Sequence, residues 1–203
     1  MANANLPKGL VPIRYLNGSP WNGAVTTYYA TGGTDIFVGD ALALSGGAGA
    51  AGLVINGQDC EGMPAVTPVA AGANILGVCV GIVPSVATDA LFYASGDRLV
   101  LVVDDPNVIF RIQEDAVANS VEAAAIGNNF DLVATAGSTT TGVSAMTLDS
   151  SDTSGTATAQ LRVLRLSDLG PGKNTIATTS AAGQYATFDV IINEHTFKST
   201  TGV

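Results

Sequence analysis

Residues 100–115 read VLVVDDPNVIFRIQED, and this stretch decides the fold class. Two apolar runs flank Asp104, Asp105, Pro106 and Asn107. In the second run Val108, Phe110 and Ile112 alternate with Ile109, Arg111 and Gln113, the two-residue period of a strand. Pro106 fixes its own φ and biases Asp105 to extended backbone, while Asp and Asn on either side can close an Asx turn. The expectation is strand, turn, strand. Asp104 and Asp105 then belong to a turn. Glu114 and Asp115 end a strand and open a helix, whose N-terminus favours carboxylates.

The same grammar runs outward in both directions. VPIRYL and AVTTYYA are short runs rich in β-formers, and DIFVGDALAL (35–44) is a strand pair or one strand kinked at Gly39. NILGVCVGIV carries interior glycines where a strand bends or bulges. ALFYAS, DRLVLVVDD, NFDLVATAG, LRVLRL and ATFDVIINEHTF complete a set of about ten short strands separated by Gly, Pro, Ser and Thr turns. Only AVANSVEAAAIG, near 116–126, has helical composition, with Asp115 as N-cap and Gly127 as C-cap. The pattern is that of an all-β sandwich or barrel with one short helix. Residues 1–34, broken by Pro7, Pro12 and Pro20, read as an extended N-terminal arm, and 35–203 as a single β-domain.

Composition narrows the function. Charged residues make up 12% of the 203 and hydrophobic ones 47%; average globular chains are about 25% charged. So uncharged a surface suits a protein largely covered by partners. The net charge of −9, from 8 Lys+Arg and 17 Asp+Glu, disfavours nucleic acid and anionic membranes as partners. The eight cations form no run. No apolar stretch reaches the ~20 residues of a membrane helix, and the N-terminus has no apolar signal-peptide core. Cys60 and Cys79 cannot build a disulfide framework, and Cys79 reads as a small buried residue.

Candidate chemistry is sparse. GAGAAG (47–52) matches Gly-x-Gly-x-x-Gly, but strand-like LVING follows where a dinucleotide site needs a helix, so no cofactor is expected. His195 is the single histidine, and the adjacent Glu194 would point to the opposite face of a strand, so neither a catalytic triad nor a zinc site is expected; His195 reads as a surface or interface residue. LDSSDTSG (148–155) is the nearest approach to a calcium loop, and equally a polar hairpin tip. No catalytic or metal residue is expected.

The ordered blocks GLVPIRYLNGSPWNGAVTTYYA, DIFVGDALAL, ILGVCVGIV, LVLVVDDPNVIFRIQED, AGSTTTGVSAMTLDSS, LRVLRL and FDVIINEHTF resemble a family of virion structural proteins of tailed bacteriophages, the head decoration or cement proteins. The resemblance covers residues 6–197 and includes no catalytic fingerprint. It implies a non-enzymatic, largely β protein, made in the host bacterial cytoplasm. It would bind the outer capsid surface where major capsid proteins meet and stabilise the shell. Homo-oligomers are implied, a trimer ahead of a dimer. The arm supplies interface candidates of the anchor type, Arg14, Tyr15, Trp21, Tyr28 and Tyr29. Two other readings stand beside it. One is a different virion component, such as a tail or fibre module or the major capsid protein. The other is a carbohydrate-binding β-sandwich, which would want exposed aromatics beside carboxylates.

Overall fold

The computed structural model describes residues 3–86, 89, 93, 94, 96–117, 119–151, 157–179 and 183–198. It is nearly all β, as the alternation predicts. Ten strands form two bodies: β1 (Val11–Tyr15), β2 (Thr26–Ala30), β3 (Ala41–Ala48), β4 (Pro64–Pro68), β5 (Gly77–Val83), β6 (Arg98–Val103), β7 (Val108–Gln113), β8 (Asn129–Phe130), β9 (Leu161–Leu166) and β10 (Thr187–Ile192). Strands β6-β2-β4-β3-β5 close into a barrel, and β1-β7-β10-β9-β8 form a five-stranded sheet. Neighbours are antiparallel in both, except the parallel pair β2 and β4.

The opening stretch joins the two bodies. Strand β6 belongs to the barrel and β7 to the sheet, so the turn at 104–107 is the link between them. Asp105 closes it as expected, its Oδ1 accepting the Asn107 amide at 2.8 Å. Alternation then sorts side chains between separate cores. Val100 and Val102 meet Tyr28, Leu42, Val66, Cys79 and Ile82 in one cluster on the inner side of the barrel. Leu99 faces outward, with Tyr29, Ala65, Ile55 and Cys60. Phe110, Ile112, Leu161, Val163, Phe188 and Val190 from the sheet pack with Ala41, Val78 and Val103 from the barrel. Burying a side chain of this size contributes roughly 1.5–3 kcal/mol, so this shared cluster holds sheet and barrel together.

Two expectations are corrected. The helix near 116–126 is a single 3-10 turn, Ala123–Ala125, among the described residues. Ala116 sits at φ 49°, which an α-helix cannot contain, and Asp115 caps no helix but accepts from the Ser150 amide and hydroxyl. Helical composition lost to a tertiary demand: buried Glu114 accepts the backbone amides of Val121 and Ala186 and pins the segment to the sheet.

The N-terminal segment is also no free arm over its strands. Strand β1 pairs with β7, and β2 with both β6 and β4. The expected kink at Gly39 is present, at φ 99°, between the short strand Ile36–Phe37 and β3. A bulge lies between the pairs Leu101–Gly81 and Val102–Cys79, with Val80 as the extra residue, where interior glycines predicted one. Residues 47 and 48 end β3, and 49–53 lead into the hairpin of Val54–Ile55 with Gln58–Asp59, with no helix following. Cys60 and Cys79 are free thiols, both buried. Residues 90–92 and 95 of ALFYAS and residues 152–155 of the LDSSDTSG tip lie outside the described residues.

Candidate interaction surface

The sheet buries one face against the barrel, and its other face collects charge. Directly paired residues share a face, as do residues two apart in a strand. Arg111 pairs with Asp189, which pairs with Arg165. Ile191, two residues on from Asp189, pairs with Arg162, and Ile109, two before Arg111, pairs with Arg14. Four of the five arginines of this chain therefore lie on one sheet face. The fifth, Arg98, is ion-paired with Asp89 at 2.7 Å in the barrel.

Asp189 is the carboxylate in these paired rows. It has no exposed surface; Arg165 Nε donates to its Oδ2 at 2.7 Å, the Ser167 hydroxyl donates to Oδ1, and Arg111 Nε stands 3.9 Å from Oδ1. Arg162 donates to the side-chain oxygens of Asn129 and Asn193. The Nε atoms of Arg14 and Arg111 are buried without a hydrogen-bond acceptor. One carboxylate, held by Arg165 and Arg111, stands against four guanidinium groups and leaves the face cationic on a protein of net charge −9.

At the edge of this face lies a cleft of about 400 Å³ lined by Leu6, Lys8, Val11, Arg111, Leu169 and Lys173, with Gln113 and Asn174 among its polar walls. Its shape is built by side-chain hydrogen bonds. Gln113 Nε2 donates to the Ala4 and Tyr185 carbonyls, and its Oε1 accepts the Leu6 amide. Asn174 bridges Ser167 and Thr187. Lys8 is set in place by Gly9, at φ 64°, whose missing Cβ admits Gly39 and Ser144. Leu6, Val11 and Leu169 are 67%, 41% and 41% exposed, so the cleft mixes open apolar surface with cations.

The predicted anchor residues divide. Arg14, Tyr15 and Trp21 are partly exposed, on or beside the sheet edge. Tyr28 is buried inside the chain's own barrel and Tyr29 in the cluster on its outer side, rather than on the expected docking arm. The Tyr28 hydroxyl donates to Asp104 at 2.8 Å, and burial with that carboxylate raises its pKa. Burial and Asp97 raise that of Tyr29. The missed residues are Lys8, Arg111, Arg162, Arg165 and Lys173. Alternation in VIFRIQ turns Arg111 away from the core, but Arg162 and Arg165 stand three apart in LRVLRL and share a face only through the bulge between Val163 and Arg165. The pairing of β7, β10 and β9 then brings all three together.

His195 is 1% exposed rather than at the surface. Its Nδ1 accepts the Phe197 amide at 3.1 Å, and burial, with Lys198, pushes its pKa down to about 4, so the ring is neutral at pH 7. Glu194 is approached by the Asn193 amide group instead. Burial raises the Glu114 carboxyl against the lowering effect of two backbone amides. No group of three metal-ligating side chains occurs among the described residues.

Compared with protein-family models, with curated proteins and with solved structures, the chain finds no match in any of the three.

Proposed function

We propose that the chain is a non-enzymatic decoration, or cement, protein that binds the outer surface of an assembled tailed-phage head at contacts between major capsid proteins. The observation that carries the reading is the segregated surface. In a chain of net charge −9, four of five arginines share one sheet face beside a cleft with open leucine and valine side chains. Such a face suits docking on an acidic protein surface, because complementary charge steers encounter and apolar anchors hold the complex.

The resemblance of the ordered sequence blocks supports the choice of a phage head as that surface. Low overall charge supports burial among subunits, and the resemblance implies a homotrimer ahead of a dimer. Co-sedimentation of the purified protein with heads lacking it tests the proposal. Saturable binding that raises the temperature of head disruption is expected, and absence of binding would contradict it.

A further inference from the structure

We infer that the cleft between the N-terminal segment and residues 169–174 receives a short acidic segment of the partner protein. An apolar side chain of that segment sits against Leu6, Val11 and Leu169, and its carboxylates face Lys8, Arg111 and Lys173. The inference rests on the binding role proposed above and adds the partner's chemistry at one place.

Three observations converge there. Leu6, Val11 and Leu169 are three of the nine large apolar side chains exposed among the described residues, and they line one cleft. Scattered singly, such side chains would need no explanation; gathered in a concavity, they mark a contact. Three of the eight Lys and Arg side chains line the same cleft. The Arg111 Nε is buried with no hydrogen-bond acceptor of its own. Asp189 offsets this charge only in part: it meets Arg111 at 3.9 Å, while its oxygens accept closer hydrogen bonds from Arg165 and Ser167.

The walls favour a peptide over other anions. No aromatic side chain lines the cleft, so a nucleic acid would find no stacking platform. Asn3, Gln113, Asn174 and Thr187 instead offer polar groups suited to a peptide backbone. The hydrogen bonds that Gln113 donates to the Ala4 carbonyl and accepts from the Leu6 amide, with those between Asn3 and Thr175, fix the walls before binding. That lowers the ordering cost of association. The volume of about 400 Å³ falls within the roughly 300–1,000 Å³ of ligand clefts.

The test uses the full chain and a capped peptide of alternating Asp and Leu, with an Asn-for-Asp version, decanoate and oligothymidylate as controls. Labelled-peptide anisotropy and amide chemical shifts are read. The acidic peptide should bind and shift the amides of Leu6, Lys8, Arg111 and Gln113. Binding should weaken by at least about tenfold for the Asn version and for Lys8→Glu/Lys173→Glu, whose exposed side chains leave the melting temperature unchanged. Leu169→Ser should weaken it severalfold.

No binding at millimolar peptide, or equal binding by the Asn version or the double variant, would overturn the inference. So would decanoate or oligothymidylate shifting those amides while the peptide does not. Head binding measured in parallel separates the two readings. Peptide binding without head binding sinks the decoration role alone, and head binding indifferent to Lys8→Glu/Lys173→Glu sinks the cleft alone.

Discussion

Asp189 lies fully buried beneath Arg165, with Nε and Oδ2 2.7 Å apart, and ties the central strand of the sheet to its neighbour. The same carboxylate accepts the Ser167 hydroxyl and stands 3.9 Å from Arg111. Asp189→Asn keeps the shape but turns an acceptor-only group into one that must also donate. It should destabilise the fold by about 1–3 kcal/mol, read by urea denaturation; an unchanged midpoint would show that Arg165, half-exposed, contributes nothing through this contact.

Phe110 is fully buried at the centre of the core shared by sheet and barrel. Phe110→Ala should cost about 3–5 kcal/mol. Asp105→Asn, in the half-buried turn three residues before the start of that strand, retains the oxygen that accepts the Asn107 amide and should change stability by less than about 1 kcal/mol. Thermal melts of the two variants side by side check the contrast.

Gly9 and Gly39 meet backbone to backbone. The Leu10 amide donates to the Gly39 carbonyl at 2.9 Å, and both glycines have positive φ. A Cβ on Gly9 would collide with Gly39 O and Ser144, and one on Gly39 with Lys8 O. Gly9→Ala therefore combines strain with a clash that backbone atoms cannot relieve. It should destabilise by at least about 1–3 kcal/mol and displace Lys8, which amide shifts around residue 8 would report.

Two buried groups give opposed pH dependences. His195 keeps its proton off until about pH 4 in the fold, against 6.5 ordinarily, through burial and Lys198, with Asp104 and Asp105 pulling the other way. Between those values the unfolded chain binds a proton that the folded chain does not, so stability is lost as pH falls. Burial pushes Asp40 up from 3.8 to about 6, against the lowering effect of Ser144 and the Phe37 amide. There the folded chain holds the extra proton, so stability is gained as pH falls. Relative to the parent chain, Asp40→Asn should lose stability on acidification from pH 6 to 4, and His195→Asn should gain it, each by on the order of 2–3 kcal/mol. Parallel slopes for the two variants would contradict these assignments.

Much of the fold is legible along the chain. The alternation in NVIFRIQED, the Asx turn at Asp105 and the glycine bulge opposite Leu101 are local physics, and each is where its residues predict. The Asn56-Gly57 turn, with both residues at positive φ, is an equally local hairpin signal. The helix near 116–126 failed because a buried carboxylate, Glu114, claims the backbone amides at 121 and 186. Nothing in AVANSVEAAAIG encodes that contact. The interaction face was half legible. Arg111 of β7 is turned outward by its own strand's period, but Arg162 and Arg165 of β9, three apart, share a face only through a bulge that no local pattern announces, and the neighbouring rows depend on which strands pair. Tyr28 and Tyr29 misled for the complementary reason: their strand closes a barrel whose order β6-β2-β4 no local pattern reveals.

The proposed decoration role is decided by the position and copy number of this chain in purified virions, measured by cryo-electron microscopy with quantitative mass spectrometry. Expected is density on the outer shell at contacts between capsid proteins, with the arginine-bearing sheet face turned to the shell and a copy number comparable to the major capsid protein. Density confined to the tail, or absence from the particle, would contradict it.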